Sequence, residues 1–345
     1  MATAGALMAS EIAEQPQVLE RLLTDGAAHA REVGRVVAES APRFVLLAAR
    51  GTSDHAALYA KYLLEVRLGL PAGLVSPSTY TSYQARPDLR DVLLITVSQS
   101  GGSPDLVATT AAARELGATT LAVTNAPDSE LAGVAELHLD VMAGPERAVA
   151  ATKSYSAELL ALWMFVQSWR GNDVAAAGAV VEAAAAHVDR RAEVIEIAHR
   201  YRFTDRLLTT GRGFAYPTAR EAALKLMETS YVAANAFSGA DLLHGPLAMI
   251  DHEHPVVAVV PDGAGATAMV PVLDRLVERG ADLLVLGGAQ SVGYGTTTYR
   301  LFPLPEDLAP VADIVPLQWL ALQMAVAHGF DPDAPRGLAK VTRTL

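Results

Sequence analysis

The stretch VLLITVSQSGGSPDLVATTAAARELG, residues 92–117, decides how the chain is read. It opens on an apolar run, 92–97, of the kind found in strands buried on both faces. From Pro104 onward it reads as a helix. Between the two, three serines, a glutamine and two glycines fill positions 98–103. Strand, small-residue turn and helix make half of a βαβ unit, and in open parallel sheets ligands sit beyond the carboxyl ends of the strands. Gly101 and Gly102 permit a tight turn and close backbone approach. Ser103 is placed to cap the helix, with Pro104 at its first position. Hydroxyls from Ser98, Ser100 and Ser103, with the free amides of a helix start, suit a phosphate. No lysine is needed there, because the helix dipole and the donors supply the attraction. A plain capped turn would use only one of these hydroxyls.

The same alternation runs along the whole chain. RFVLLAARG (43–51) leads into DHAALYAKYLLEVRLG (54–69), and TTLAVTN (119–125) and AELHLDV (135–141) follow the serine loop. The second half repeats the order with RLLTTGRG (206–213), TAREAALKLMETS (218–230), HPVVAVVPDGAG (254–265), AMVPVLDRLVERG (268–280) and DLLVLGG (282–288). Arg50-Gly51 aligns with Arg212-Gly213 and Thr119 with Asp282, at offsets of about 162–163 residues, the mark of a duplicated domain. The expected fold is α/β: two doubly wound, flavodoxin-like domains, each a parallel sheet flanked by helices. The boundaries are an N-terminal helix over 1–30 with an amphipathic run at 11–23, a first domain over 31–170, a helical connector over 171–200, a second domain over 201–330 and a C-terminal tail over 331–345. The loop PDGAG (261–265) has lost the hydroxyls of its counterpart, so no second phosphate site is expected.

Composition narrows the function classes. The formal net charge is −11, with 27 Lys+Arg against 38 Asp+Glu, which argues against nucleic acid as a partner because phosphate-backbone binding needs clustered bases. A small anion held by backbone amides stays open. The chain has no cysteine, so disulfides, thiolate catalysis and cysteine-ligated metals are excluded. Nine histidines show no metal-ligand spacing. The start, MATAGALMASEIAEQ, lacks the basic and apolar regions of a signal peptide, and the alanine-rich run 175–186 is too short to span a bilayer. A cytoplasmic protein with no membrane partner is expected.

RGTSDHAALYAKY, SQSGGSPDLV, AGPERAVAATKSY and LKLMETSY…DLLHGPLAMI occur in this order, and together they resemble the double sugar-isomerase (SIS) domain family over essentially the whole chain. That family includes the isomerase half of glucosamine-6-phosphate synthase and the SIS-type glucosamine-6-phosphate deaminases. RGTSDHA, SPDL, AGPE…VAATKSY and the terminal LAKVTRT resemble the deaminase branch more closely. With no cysteine for an amidotransferase nucleophile, glutamine is not expected as the ammonia source.

The resemblance assigns residues. Lys225 and Glu228 are three apart and share a helix face, a spacing that also fits an ordinary surface ion pair. The resemblance makes Glu228 the carboxylate that moves a proton between sugar carbons and Lys225 its support. His244 in LLHGPLAMI reads either as a satisfied core residue or, by resemblance, as a group that helps ring opening in the neighbouring subunit of a homodimer. Lys340 in the tail is either simply solvated or, as in synthase relatives, approaches the sugar carbonyl, where it can form a Schiff base. Phosphate and sugar contacts fall to Ser53, Ser98, Gln99, Ser100 and Ser103, with Thr52 and the backbone around Val149–Ala151 lining the sugar. Several positions depart from the synthase pattern: Arg50 replaces a cysteine, Gly102 an acidic residue, Met227 a lysine, and Ala151 a serine that contacts the sugar. Three activities stay open. The resemblance implies conversion of glucosamine 6-phosphate to fructose 6-phosphate and ammonia, without metal or organic cofactor. The same base on N-acetylglucosamine 6-phosphate would expel water from C3. A sugar-phosphate sensor without catalysis is the third, although the residues before Arg43 leave no room for the helix-turn-helix expected of such a regulator.

Overall fold

The structure, a computed structural model, describes residues 3–340. The first two residues of the 1–30 segment and the last five of the 331–345 tail lie outside them. The chain forms two compact units. The first comprises Gln17–Glu146, Lys153–Gly178 and the tail from Ala339; the second comprises the chain up to Pro16, Arg147–Thr152 and Ala179–Leu338.

In the first unit, β1 (Phe44–Ala48), β2 (Ala72–Leu74), β3 (Val92–Ser98), β4 (Thr119–Thr124) and β5 (Leu137–Asp140) form a five-stranded sheet in the order β2-β1-β3-β4-β5. Every pairing is parallel. Leu93, Ile95, Thr96 and Val97 of β3 are wholly buried, because helices cover both faces of a doubly wound sheet. The one polar side chain among them is satisfied: Thr96 Oγ1 lies 2.7 Å from Thr110 Oγ1. The chain leaves β1 for the edge strand β2 and returns to β3 on the other side. The loops after β1 and β3 therefore flank the point where strand order reverses, the ligand position of flavodoxin-like sheets.

The second unit repeats the plan. β6 (Arg206–Gly211), β7 (Ala233–Ser238), β8 (Pro255–Val260), β9 (Asp282–Gly287) and β10 (Thr297–Arg300) lie in the order β10-β9-β8-β6-β7, the same sequence read from the opposite edge, and again all parallel. The duplication read from the spacing is therefore a duplication of topology.

Local differences have local causes. The N-terminal run splits into two helices, Ala6–Ala13 and Gln15–Asp25, because Pro16 has no amide to donate and fits only a first turn. Two helices of the expected connector, Ala179–Asp189 and Arg191–Arg200, belong to the second unit, while the buried helix Lys153–Trp169 belongs to the first. Among the described residues one helix, Pro310–Ala327, is long and apolar enough by composition to cross a membrane, yet 83% of it is buried inside the protein, as a core helix is.

The loop after β8 shows what became of the second helix start. Glu306 Oε2 accepts from Ala264 N (2.9 Å) and Oε1 from Gly265 N (2.7 Å), while Gln290 Oε1 accepts from Gly263 N (2.7 Å). Gly263 has φ 146°, and a Cβ there would lie 2.4 Å from Glu306 Oε2. The chain's own carboxylate thus takes the place an anion would occupy at the start of the helix Ala264–Glu278.

Two substitutions test these local claims in urea denaturation. Glu306→Ala is expected to destabilise the protein by about 1 kcal/mol, with sulfate recovering part of the loss because the bared amides then take an oxyanion. Gly101 has φ 61°, and a Cβ there would lie 2.1 Å from Ser129 Oγ. Gly101→Ala is expected to lose about 2 kcal/mol, and Ser129→Gly in the same chain to restore part of it.

Candidate active site

In the first unit the serine loop closes on itself, with Ser98 buried and Ser100 and Ser103 part-exposed. Ser98 Oγ accepts from Gly101 N at 3.2 Å and Ser100 Oγ from Gly102 N at 3.3 Å. The carbonyl of Gln99 accepts from Asn125 N at 3.1 Å, and its side chain is half-buried. Ser103 takes the extended conformation of an N-cap, with Pro104 next, but its hydroxyl makes no capping bond. The backbone of the expected cap is present and the side-chain bond is not: the carbonyl of Ser103 already starts the helix, accepting from Leu106 N and Val107 N.

The loop after β1 faces the same reversal point. Gly51, at φ 57°, turns the chain into the helix that begins at Thr52. Ser53 is buried, and its hydroxyl donates to Glu158 Oε1 at 2.8 Å. Arg50 reaches the first turn of the helix Pro104–Glu115, where Nε and Nη2 lie 2.8 and 2.7 Å from Asp105 Oδ2. Asp105 is buried and Arg50 half-exposed, so a guanidinium stands beside the start of this helix. The sequence marked Arg50 only as a departure from a pattern; its tie to Asp105, 55 residues away, was not legible there.

Lys340 also belongs to this unit. Its Nζ donates to Glu146 Oε2 at 2.8 Å, so the lysine is paired and not simply solvated. Ser154 Oγ donates to the same oxygen at 2.7 Å and Ser154 N to Glu146 Oε1 at 3.0 Å.

In the second unit the helix Ala215–Ser230 carries three charges on one face. Lys225 lies 2.5 Å from Glu228 Oε2 and 3.4 Å from Glu221 Oε1. Lys225 and Glu221 are buried, whereas the Glu228 side chain is 24% exposed. This geometry removes the surface ion-pair reading. Burial works against the Lys225 charge, but Glu221 and Glu228 outweigh it and hold the ammonium above the ordinary lysine range. Glu221 was missed in the sequence although EAALKLME places it one turn before Lys225.

His244 is exposed at the end of the short helix Gly239–Leu243, which rules out the satisfied-core reading. Val149 and Ala151 are half-buried in the segment Arg147–Thr152, which groups with the second unit. Residues not singled out from the sequence hold that segment. Glu11 accepts from Arg147 N at 2.5 Å and from Ala148 N at 3.3 Å. Gln318 Nε2 donates to the carbonyl of Thr152 at 3.1 Å and is itself held by Gln15, whose Nε2 donates to Gln318 Oε1 at 2.8 Å.

Known proteins share this arrangement. The SIS domain family matches twice, over residues 40–168 and 201–328. The glutamine–fructose-6-phosphate aminotransferase (isomerizing) of Symbiobacterium thermophilum is 38% identical over 359 residues, covering 96% of this chain. The chain spans 58% of that relative's length. Among solved structures, a Silicibacter pomeroyi protein assigned as a phosphosugar isomerase superposes with a TM-score of 0.87 at 34% identity, covering 94% of this chain and 99% of the other. The C-terminal domain of the Francisella tularensis glucosamine-fructose-6-phosphate aminotransferase does so with a TM-score of 0.85 at 25% identity, covering 96% and 99%. Both halves of the match fall on parallel sheets of one repeated strand order, and the chain belongs to the SIS domain family as a two-domain member related to phosphosugar isomerases.

Proposed function

We propose that the protein converts glucosamine 6-phosphate and water to fructose 6-phosphate and ammonia. The observation that carries this reading is the Glu221–Lys225–Glu228 stack. A buried ammonium fixes the rotamer of a carboxylate whose outer edge stays accessible, as a base that must first take and then return a proton requires. The serine loop takes the phosphate through its hydroxyls, with the Arg50 guanidinium, paired to Asp105, nearby. Thr52, Ser53, Gln99 and the backbone at Val149 and Ala151 position the sugar.

The chemistry starts from the open-chain aldehyde. Glu228 removes the C2 proton as O1 gains one, which gives an enolic carbon pair bearing the amine. Return of the proton to C1 leaves a hydroxymethyl group and an imine at C2. Water adds to the imine, and ammonia leaves. Lys340, held by Glu146, donates to a sugar oxygen, and no cofactor enters the balance. His244 assists ring opening across a homodimer. Its exposure supports this role, as do the part-exposed Leu243 and Met249 beside it, apolar side chains that a second copy would cover.

Purified protein incubated with glucosamine 6-phosphate is expected to release equal amounts of ammonia and fructose 6-phosphate. Glu228→Gln should lower kcat about 10³-fold with little change in KM, since it removes the base and keeps the side-chain volume. A parallel incubation with N-acetylglucosamine 6-phosphate is followed by mass. Loss of one water there, with no ammonia from the free amine, would make this scaffold a lyase and overturn the deaminase reading. Binding of both sugars without turnover of either would overturn it in favour of a sensor.

A further inference from the structure

We propose that Glu146 is the positioning residue for Lys340: its buried carboxylate pins the tail lysine to the start of the helix Lys153–Trp169. The inference rests on the function proposed above only in assigning Lys340 a task. The clamp itself is read from contacts within one unit.

The side chain of Glu146 has no exposed surface, and that of Lys340 is 24% exposed. A buried carboxylate facing only neutral donors is expensive, and here a cation and a helix start share the load. Oε1 takes the amide of Ser154, and Oε2 takes both the Ser154 hydroxyl at 2.7 Å and Lys340 Nζ at 2.8 Å. Ser154 fixes the carboxylate from both of its oxygens, so the lysine meets an acceptor that does not rotate away. A C-terminal tail otherwise loses order to chain entropy. A charge-assisted contact spanning 194 residues of sequence holds this one at its lysine.

The clamp also defines what Lys340 presents. The contact with Glu146 uses one of the three N–H bonds of the ammonium. The group is thereby oriented as a donor for a sugar oxygen.

The chain has four lysines, Lys61, Lys153, Lys225 and Lys340, so amine labelling resolves each site. Lys153 and Lys225 are buried, and Lys61 is a part-exposed internal control. Reductive methylation with formaldehyde and cyanoborohydride, read by peptide mass, is compared in the unsubstituted protein and in Glu146→Gln. The substitution is expected to raise the labelling rate of Lys340 about tenfold and leave Lys61 unchanged. Ser154→Ala should give a smaller rise at Lys340. With glucosamine 6-phosphate, Glu146→Gln should lower kcat with little change in KM, as loss of orientation does and loss of substrate binding does not. If Glu146→Gln does not fold, Glu146→Asp, which keeps the charge but withdraws it by one methylene, is read in the same way. Equal labelling of Lys340 in the unsubstituted protein and the variant overturns the clamp, whatever the turnover. Raised labelling in a protein that turns over no amino-sugar phosphate upholds the clamp and sinks the proposed reaction.

Discussion

Backbone amides left unpaired at helix starts are the constraint around which both units are arranged. A parallel sheet with its strand order reversed between the first and third strands brings two such helix starts to one crevice. Each unit must satisfy those amides with something. In the first unit, Ser98 and Ser100 take two loop amides, and at the start of the helix Pro104–Glu115 the buried Asp105 carboxylate takes the Leu106 amide and the Arg50 guanidinium. In the second unit, Glu306 comes in as a permanent anion and Gln290 takes the next amide. One topology thus meets its helix starts in two ways, with a carboxylate from the first turn itself (Asp105) and with one from a distant loop (Glu306), and the difference lies in a few side chains and not in the strands.

Buried carboxylates form the second layer of the architecture. Glu221, Glu146, Glu158 and Glu11 are all withdrawn from water, and each is held by groups that fix it in place. Glu221 shares Lys225 with Glu228, Glu146 takes Lys340 and Ser154, and Glu158 takes the hydroxyl of Ser53. Burial makes these contacts stiff: in the two that are ion pairs, with Lys225 and Lys340, losing one partner leaves an uncompensated charge at a cost of about 3–5 kcal/mol. Stiffness of this kind keeps a base or a donor in place through a proton transfer. The charges at the protein surface, such as Arg35 with Glu32 and Glu39, contribute little by comparison.

The sequence made the fold legible where burial imposes a pattern. β3 is an unbroken apolar run because both faces are covered, and the glycines and serines after it mark a turn into a helix. The edge strands β2, β7 and β10 carried no such signal: β2 has three residues, and AANAFS in β7 is rich in alanine, which has no strand preference. Lys225 and Glu228 were legible because helix spacing links them, and the same spacing contained Glu221. Glu146, Glu306 and Gln318 were not, because their partners lie from 41 to more than 300 residues away, where spacing carries no information, the exception being the nearby contact of Glu146 with Ser154. The capping bond expected of the Ser103 side chain illustrates the converse. A residue can have the right type and backbone for a local role while its side chain is left for another.

The central claim is that Glu228 moves the proton of C2. Glucosamine 6-phosphate carrying deuterium at C2 tests it most directly, with the label followed by NMR during incubation with the protein and with Glu228→Gln. Deuterium is expected to leave C2 at least as fast as ammonia appears, part of it is expected at C1 of fructose 6-phosphate, and Glu228→Gln is expected to retain the label at C2. Ammonia release without loss of the label from C2, or equal loss in the protein and the variant, would contradict it.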